Sequence, residues 1–162
     1  MPPVPPLQHV DPETHVAVQR LRAAMPDAIE GVSSHRDQVT VRIPKDRWVA
    51  AAQFLRDDPE CSFEMMLDLT AADYPPRPQR FDVIAHLYSL SKGHLLRIKT
   101  GVAEGDSVDT LTTVWKTSNW YEREAYDMFG VQFAGHPDLR RILMPENWVG
   151  YPLRKDYPLA GY

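Results

Sequence analysis

Apolar positions along the first 130 residues recur with two periods, and each change of period marks a change of element. Ala17, Val18, Leu21, Ala24 and Met25 sit at helical spacing behind Asp11-Pro12-Glu13, which offers a capping side chain, a proline at the first helical position and an early acid; Pro26 ends this helix. Val39, Val41 and Ile43 then alternate with Thr40 and Arg42, the period of a half-buried strand, whose expected partner is the segment around Ala28 to Val32. After Pro44 the residues Trp48, Ala51, Ala52 and Leu55 predict a second amphipathic helix, ended by Asp58-Pro59. Strands follow over Phe63 to Leu69, Phe81 to Leu90 and Leu95 to Val102, with Pro75, Pro76 and Pro78 in the loop between the first two. A helical stretch is predicted from Val108 to Met128, broken near Thr117 to Asn119, with Asn119 and Glu122 spaced as a capping box and Gly130 at the closing position.

This order predicts an α+β fold: a two-layer sandwich of helix, two strands, helix and three strands with a largely antiparallel mixed sheet, then a helix and an extended C-terminal arm. Three segments result, a flexible proline-rich N-terminus (1–10), an α+β domain (11–130) and the arm (131–162). The arm shows no period, yet it carries Phe133, Leu139, Ile142, Leu143, Met144, Trp148, Tyr151 and Leu153. That is too apolar for a solvated segment, so it must pack on its own domain or on a partner.

Composition narrows the function. The 162 residues suffice for one core, and a net charge of -4 gives no general attraction to nucleic acid or anionic lipid. No apolar run approaches the roughly 20 residues of a membrane span. The N-terminus lacks the basic and apolar regions of a secretory signal, so a cytoplasmic protein is expected. The single cysteine, Cys61, excludes an intramolecular disulfide, a four-thiolate zinc site and any iron-sulfur cluster held by this chain's cysteines alone. No glycine pattern fits a dinucleotide fingerprint or a phosphate loop, and the six histidines lack metal-site spacing, so no metal is expected.

The dense polar cluster is Glu122-Arg123-Glu124 with Asp127 one turn on. Glu122 is explained as the capping acid and Arg123 with Asp127 as an i, i+4 ion pair; Glu124 alone is left without a structural role. A second cluster, Arg140-Arg141 and Arg154-Lys155-Asp156, lies among the arm's apolar residues, where arginines suit bidentate pairing with carboxylates or an interface.

Glu122-Arg123-Glu124, Asp127-Met128-Phe129-Gly130, His136-Pro137, Arg140-Arg141-Ile142-Leu143, Met144-Pro145, Trp148, Gly150 and Pro152 through Pro158 together form a signature of about 40 residues with order and spacing intact. It resembles the C subunit of respiratory NADH-quinone oxidoreductase, complex I. Looser likeness extends upstream to Asp68-Leu69-Thr70, Asp73-Tyr74, Arg80-Phe81 and His86-Leu87. The resemblance implies a cofactor-free subunit of the hydrophilic arm, on the cytoplasmic face of the inner membrane. It would pack against the D subunit near the quinone-binding end and close to the B subunit, with the I subunit a further neighbour. NADH, FMN, iron-sulfur clusters and quinone would belong to other subunits. The family also includes relatives in cyanobacterial and plastid NDH complexes and in membrane-bound hydrogenases. Two readings from other classes use the same residues: a free-standing acid-base enzyme built on Glu124 with Asp127 or His136, and a small adaptor that docks through its arm.

Overall fold

The computed structural model describes residues 10–160. Of the N-terminus expected to be flexible, all but Val10 lies outside the described residues. Five strands, β1 (Gly31–His35), β2 (Gln38–Arg42), β3 (Met65–Asp73), β4 (Phe81–Ser89) and β5 (His94–Val102), form one sheet in the order β1-β2-β5-β4-β3. All neighbours are antiparallel except β2 and β5, so the sheet is mixed and mostly antiparallel, as expected.

Period-2 alternation sorts the side chains into two faces. One cross-strand row runs Val32, Val41, Ile98, Ala85, Leu69, and on it α1 (Val16–Ala24) buries Ala17, Val18 and Leu21 while α2 (Trp48–Asp57) buries Trp48, Ala51, Ala52 and Leu55. Each such leucine or valine contributes about 1.5–3 kcal/mol by leaving water. The adjacent row, Ser33, Thr40, Arg97, His86, Asp68, lies on the other face. There Asp68 Oδ1 lies 2.6 Å from His86 Nδ1, and Arg97 Nε donates to His86 Nε2 at 2.9 Å, which places the ring proton on Nδ1.

Differences from the expected elements have local causes. Asp11 caps a short 3-10 turn, Pro12–Thr14, instead of the helix; α1 has its own cap, His15, whose Nδ1 accepts from Ala17 N at 3.2 Å while Nε2 donates to the Leu95 carbonyl at 3.1 Å. Residues 26–28 coil into another 3-10 turn, so β2 pairs with Gly31–His35 through a two-residue turn at Arg36 and Asp37, both at positive φ. Strand β3 starts later and runs further than Phe63 to Leu69. The largest correction concerns Val108: it lies in strand β6 (Ser107–Asp109), paired in parallel with β7 (Gln132–Ala134), and the helix, α3 (Ser118–Phe129), begins ten residues later. Val108 and Phe133 are register partners in the core, so the first residues after Gly130 add a strand.

His15 yields a pH prediction. Burial, then the charge of His94 5.5 Å away, lowers its pKa from the usual 6.5, so its cap is present above that value and lost as pH falls through the lowered one. Amide exchange at Ala17 should therefore speed up beyond the intrinsic trend as pH is taken below 6.5, and His15→Asn should remove that pH dependence.

Candidate functional site

Helix α3 packs along β3 and presents its signature residues to the arm. It closes at Gly130 in the left-handed conformation (φ 77°), and a Cβ there would meet Arg154 Nη2 at 2.6 Å and the Tyr151 ring at 2.7 Å. Glycine is required both for the helix end and for the close approach of the arm.

Asp127 is the first fastening. Its side chain is wholly buried; Oδ2 accepts from the backbone N–H groups of Ile142 (3.1 Å), Leu143 (2.7 Å) and Met144 (2.8 Å), and Oδ1 accepts from Arg141 Nη1 at 2.6 Å. Burial alone would raise its pKa, but these donors, with Met144 N–H foremost, outweigh it and hold the carboxyl below its usual value. Arg141 also donates from Nη2 to the carbonyls of Trp148 (3.1 Å) and Gly150 (2.9 Å), bending the arm around itself. The expected Arg123–Asp127 pair is not formed. Arg123 instead donates to the carbonyls of Arg140 (3.1 Å) and Arg141 (3.0 Å), because the arm supplies Asp127 with four better-placed donors.

The second fastening joins β3 and β4 to the end of the arm. Arg80, nine-tenths buried, donates to both oxygens of Asp73 (2.7 and 3.0 Å), to Glu104 (2.9 Å) and to Asp156 (2.9 Å), and Asp73 also accepts from Lys155 N–H at 2.8 Å. Arg154 donates to the Phe129 carbonyl (2.6 Å) and to Glu104 (2.7 Å), with its guanidinium 4.6 Å from the Tyr151 ring centre. Asp73, Arg80 and Glu104 do not stand out as site residues in the sequence; the register of the β3–β4 hairpin, which pairs Asp73 with Phe81, is the signal that brings Asp73 near Arg80.

The expected capping box is also replaced. Asn119 gives its carbonyl to His136 Nε2 (2.9 Å), and Glu122, fully buried, accepts from Thr110 Oγ1 (2.5 Å), Leu111 N (2.7 Å) and Ser118 Oγ (2.7 Å). These donors tie α3 to the segment after β6. His136 Nδ1 accepts from Asp138 N–H at 3.0 Å, so its proton lies on Nε2. Burial raises the Glu122 pKa above its usual 4.5, against the pull of the three hydrogen bonds. Its stabilisation is therefore complete below that value and declines as pH rises through the raised one. Relative to the parent chain, Glu122→Gln should gain stability as pH rises above 4.5, measured by denaturant unfolding at each pH.

Glu124, Arg140 and the Lys155 side chain are exposed. Arg140 pairs with Asp138 at 2.9 Å, and Glu124 lines an apolar groove. Asp127 lies beneath the arm and is saturated with donors, so it does not join Glu124 in an acid-base pair. Among the described residues no three His, Cys, Asp or Glu side chains gather where they could hold a metal, and no helix is long and apolar enough to cross a membrane.

Fold and site together define an α+β domain with a C-terminal arm strapped to it by the buried Asp127–Arg141 pair and by the network around Arg80. Residues 41–162 match the family model of the respiratory-chain NADH dehydrogenase 30 kDa subunit. The chain is 49% identical over 142 residues to the C subunit of NADH-quinone oxidoreductase from Roseiflexus castenholzii, covering 87% of this chain and 82% of that protein. It is 46% identical over 150 residues to the corresponding subunit from Geotalea uraniireducens (92% and 90% covered), and 43% over 142 residues to that of Hyphomonas neptunium (88% and 70%). The chain belongs to the C-subunit family of NADH-quinone oxidoreductase.

Proposed function

We propose that this chain serves NADH-quinone oxidoreductase as a structural subunit without cofactor or reaction of its own, holding neighbouring subunits through its strapped arm. The observation that carries this is the inverted polarity of the arm. Arg141, Arg154 and Asp156 are bonded to the chain's own domain, while Leu143, Val149, Leu153 and Leu159 are each more than half exposed. A segment that turns these three charges inward and these four apolar side chains outward is built to be covered.

The partners are the D and B subunits, with the I subunit a further neighbour, in the peripheral arm on the cytoplasmic face of the membrane. NADH, FMN, iron-sulfur clusters and quinone belong to the other subunits, whose joint reaction drives the proton translocation this chain supports. The names of the relatives favour the NADH-linked complex over an NDH or hydrogenase relative. The engagement of Asp127 and His136 in structural hydrogen bonds argues against the acid-base enzyme.

A tagged chain is expected to co-purify with a flavin- and iron-sulfur-containing assembly that reduces quinone with NADH. Turnover by the isolated chain contradicts the proposal, and stable recovery with a cofactor-free partner favours the adaptor reading.

A further inference from the structure

Glu124, the one signature carboxylate without a structural role in the sequence, lies on the face of α3 that the domain leaves uncovered. Thr117, Trp120, Tyr121 and Glu124 follow the i, i+3, i+4, i+7 spacing of one helical face. Together with Ile142 and Leu143 of the arm they line an open groove of about 730 Å3. Trp120 is 70% exposed and Leu143 58%, both large apolar side chains standing in water at its walls. One wall is the helix, and the other is the arm segment whose backbone N–H groups are gathered on Asp127, so the groove exists only while that fastening holds.

The two charges on the groove are Glu124 and Lys116, and neither side chain has a hydrogen-bond or ion-pair partner among the described residues. Everywhere else along α3 and the arm, the carboxylates and guanidinium groups of the signature are paired within the chain: Glu122, Arg123, Asp127, Arg140, Arg141, Arg154 and Asp156. An unpaired anion and an unpaired cation flanking an otherwise apolar trough specify an occupant by charge complementarity. An open trough of this kind, rather than an enclosed cavity, suits a protein segment laid along it, as in helix-in-groove recognition, more than a small molecule held in a pocket.

We infer that this groove seats an apolar segment of a neighbouring subunit, which places a Lys or Arg against Glu124 and an Asp or Glu against Lys116. The inference rests on the reading of the chain as a subunit of the complex. Asp127 then has a double effect: it straps the arm down and thereby shapes the seat for the partner.

The test uses the full chain in its complex, with a photoreactive residue at Leu143 and, separately, at Trp120. Both should cross-link to one stretch of another subunit that is apolar and carries a basic residue within about one helical turn of the cross-link. Glu124→Lys should lower incorporation at least tenfold without shifting the melting temperature of the isolated chain, Glu124→Gln should lower it less, and reversing the partner's basic residue to Glu should restore the Glu124→Lys variant. Cross-links to a second copy of this chain, to lipid or to no protein overturn the inference, as does parental incorporation of both Glu124 variants. Recovery of the tagged parent chain in the complex separates these outcomes from failure of the subunit reading itself.

Discussion

Asp127→Ala should destabilise the chain by about 3–5 kcal/mol, because it leaves the Arg141 charge without its carboxylate, bonded to carbonyls alone, and three backbone N–H groups of residues 142–144 without their acceptor. A solvated helix pair would give only about 0.3–0.5 kcal/mol. The loss should be local first. Amide exchange at Leu143 and Met144 should rise steeply while the core amides of β4 and β5 stay protected, and only then should the global melting temperature fall. Asp127→Asn keeps the shape but halves the acceptor capacity, and should lie between the parent and the alanine variant.

Arg80→Ala should be of similar size, about 3 kcal/mol or more. It leaves the fully buried Asp73 carboxylate with Lys155 N–H as its one remaining donor, frees Asp156, and leaves Glu104 with Arg154 alone. Arg80→Lys should rescue little, since one ammonium cannot reproduce a fork that reaches three carboxylates. Both fastenings make a common prediction about acid. Asp73 and Asp127 have pKa values held below the usual 3.8, burial opposing the shift and hydrogen bonds winning, so their contribution is present above 3.8 and is lost as pH falls through the lowered values. The arm should detach in acid before the sheet unfolds, as seen by protease cutting between residues 138 and 160 below pH 3.8 while the far-ultraviolet circular dichroism persists.

Periodic elements are legible in the sequence because one face of each is buried. Helix α2, strand β2 and the Gly130 helix end are all found near where the apolar spacing and the glycine put them. The hairpin turn at Arg36 and Asp37 is less legible because it adopts positive φ twice without a glycine. Strand β6 reads as helix because three residues are too few to display a period, and its partner, β7, lies more than twenty residues away. The signature residues are recognisable without their partners. Spacing of i, i+4 says that Arg123 and Asp127 can meet; it does not say that the arm brings Asp127 four donors. Those contacts come from an aperiodic segment about 15 residues further on, and only the folded chain brings them together.

If the arm is held by its charges and docks by its apolar side chains, the double variant Val149→Asp, Leu153→Asp should separate the two roles. Both side chains are more than half exposed and take no part in either fastening through their side chains. The isolated variant should unfold within about 0.5 kcal/mol of the parent, while its incorporation into the NADH-quinone oxidoreductase complex should fail. A variant that enters the complex as the parent does, with quinone-reductase activity retained, would contradict this division of labour.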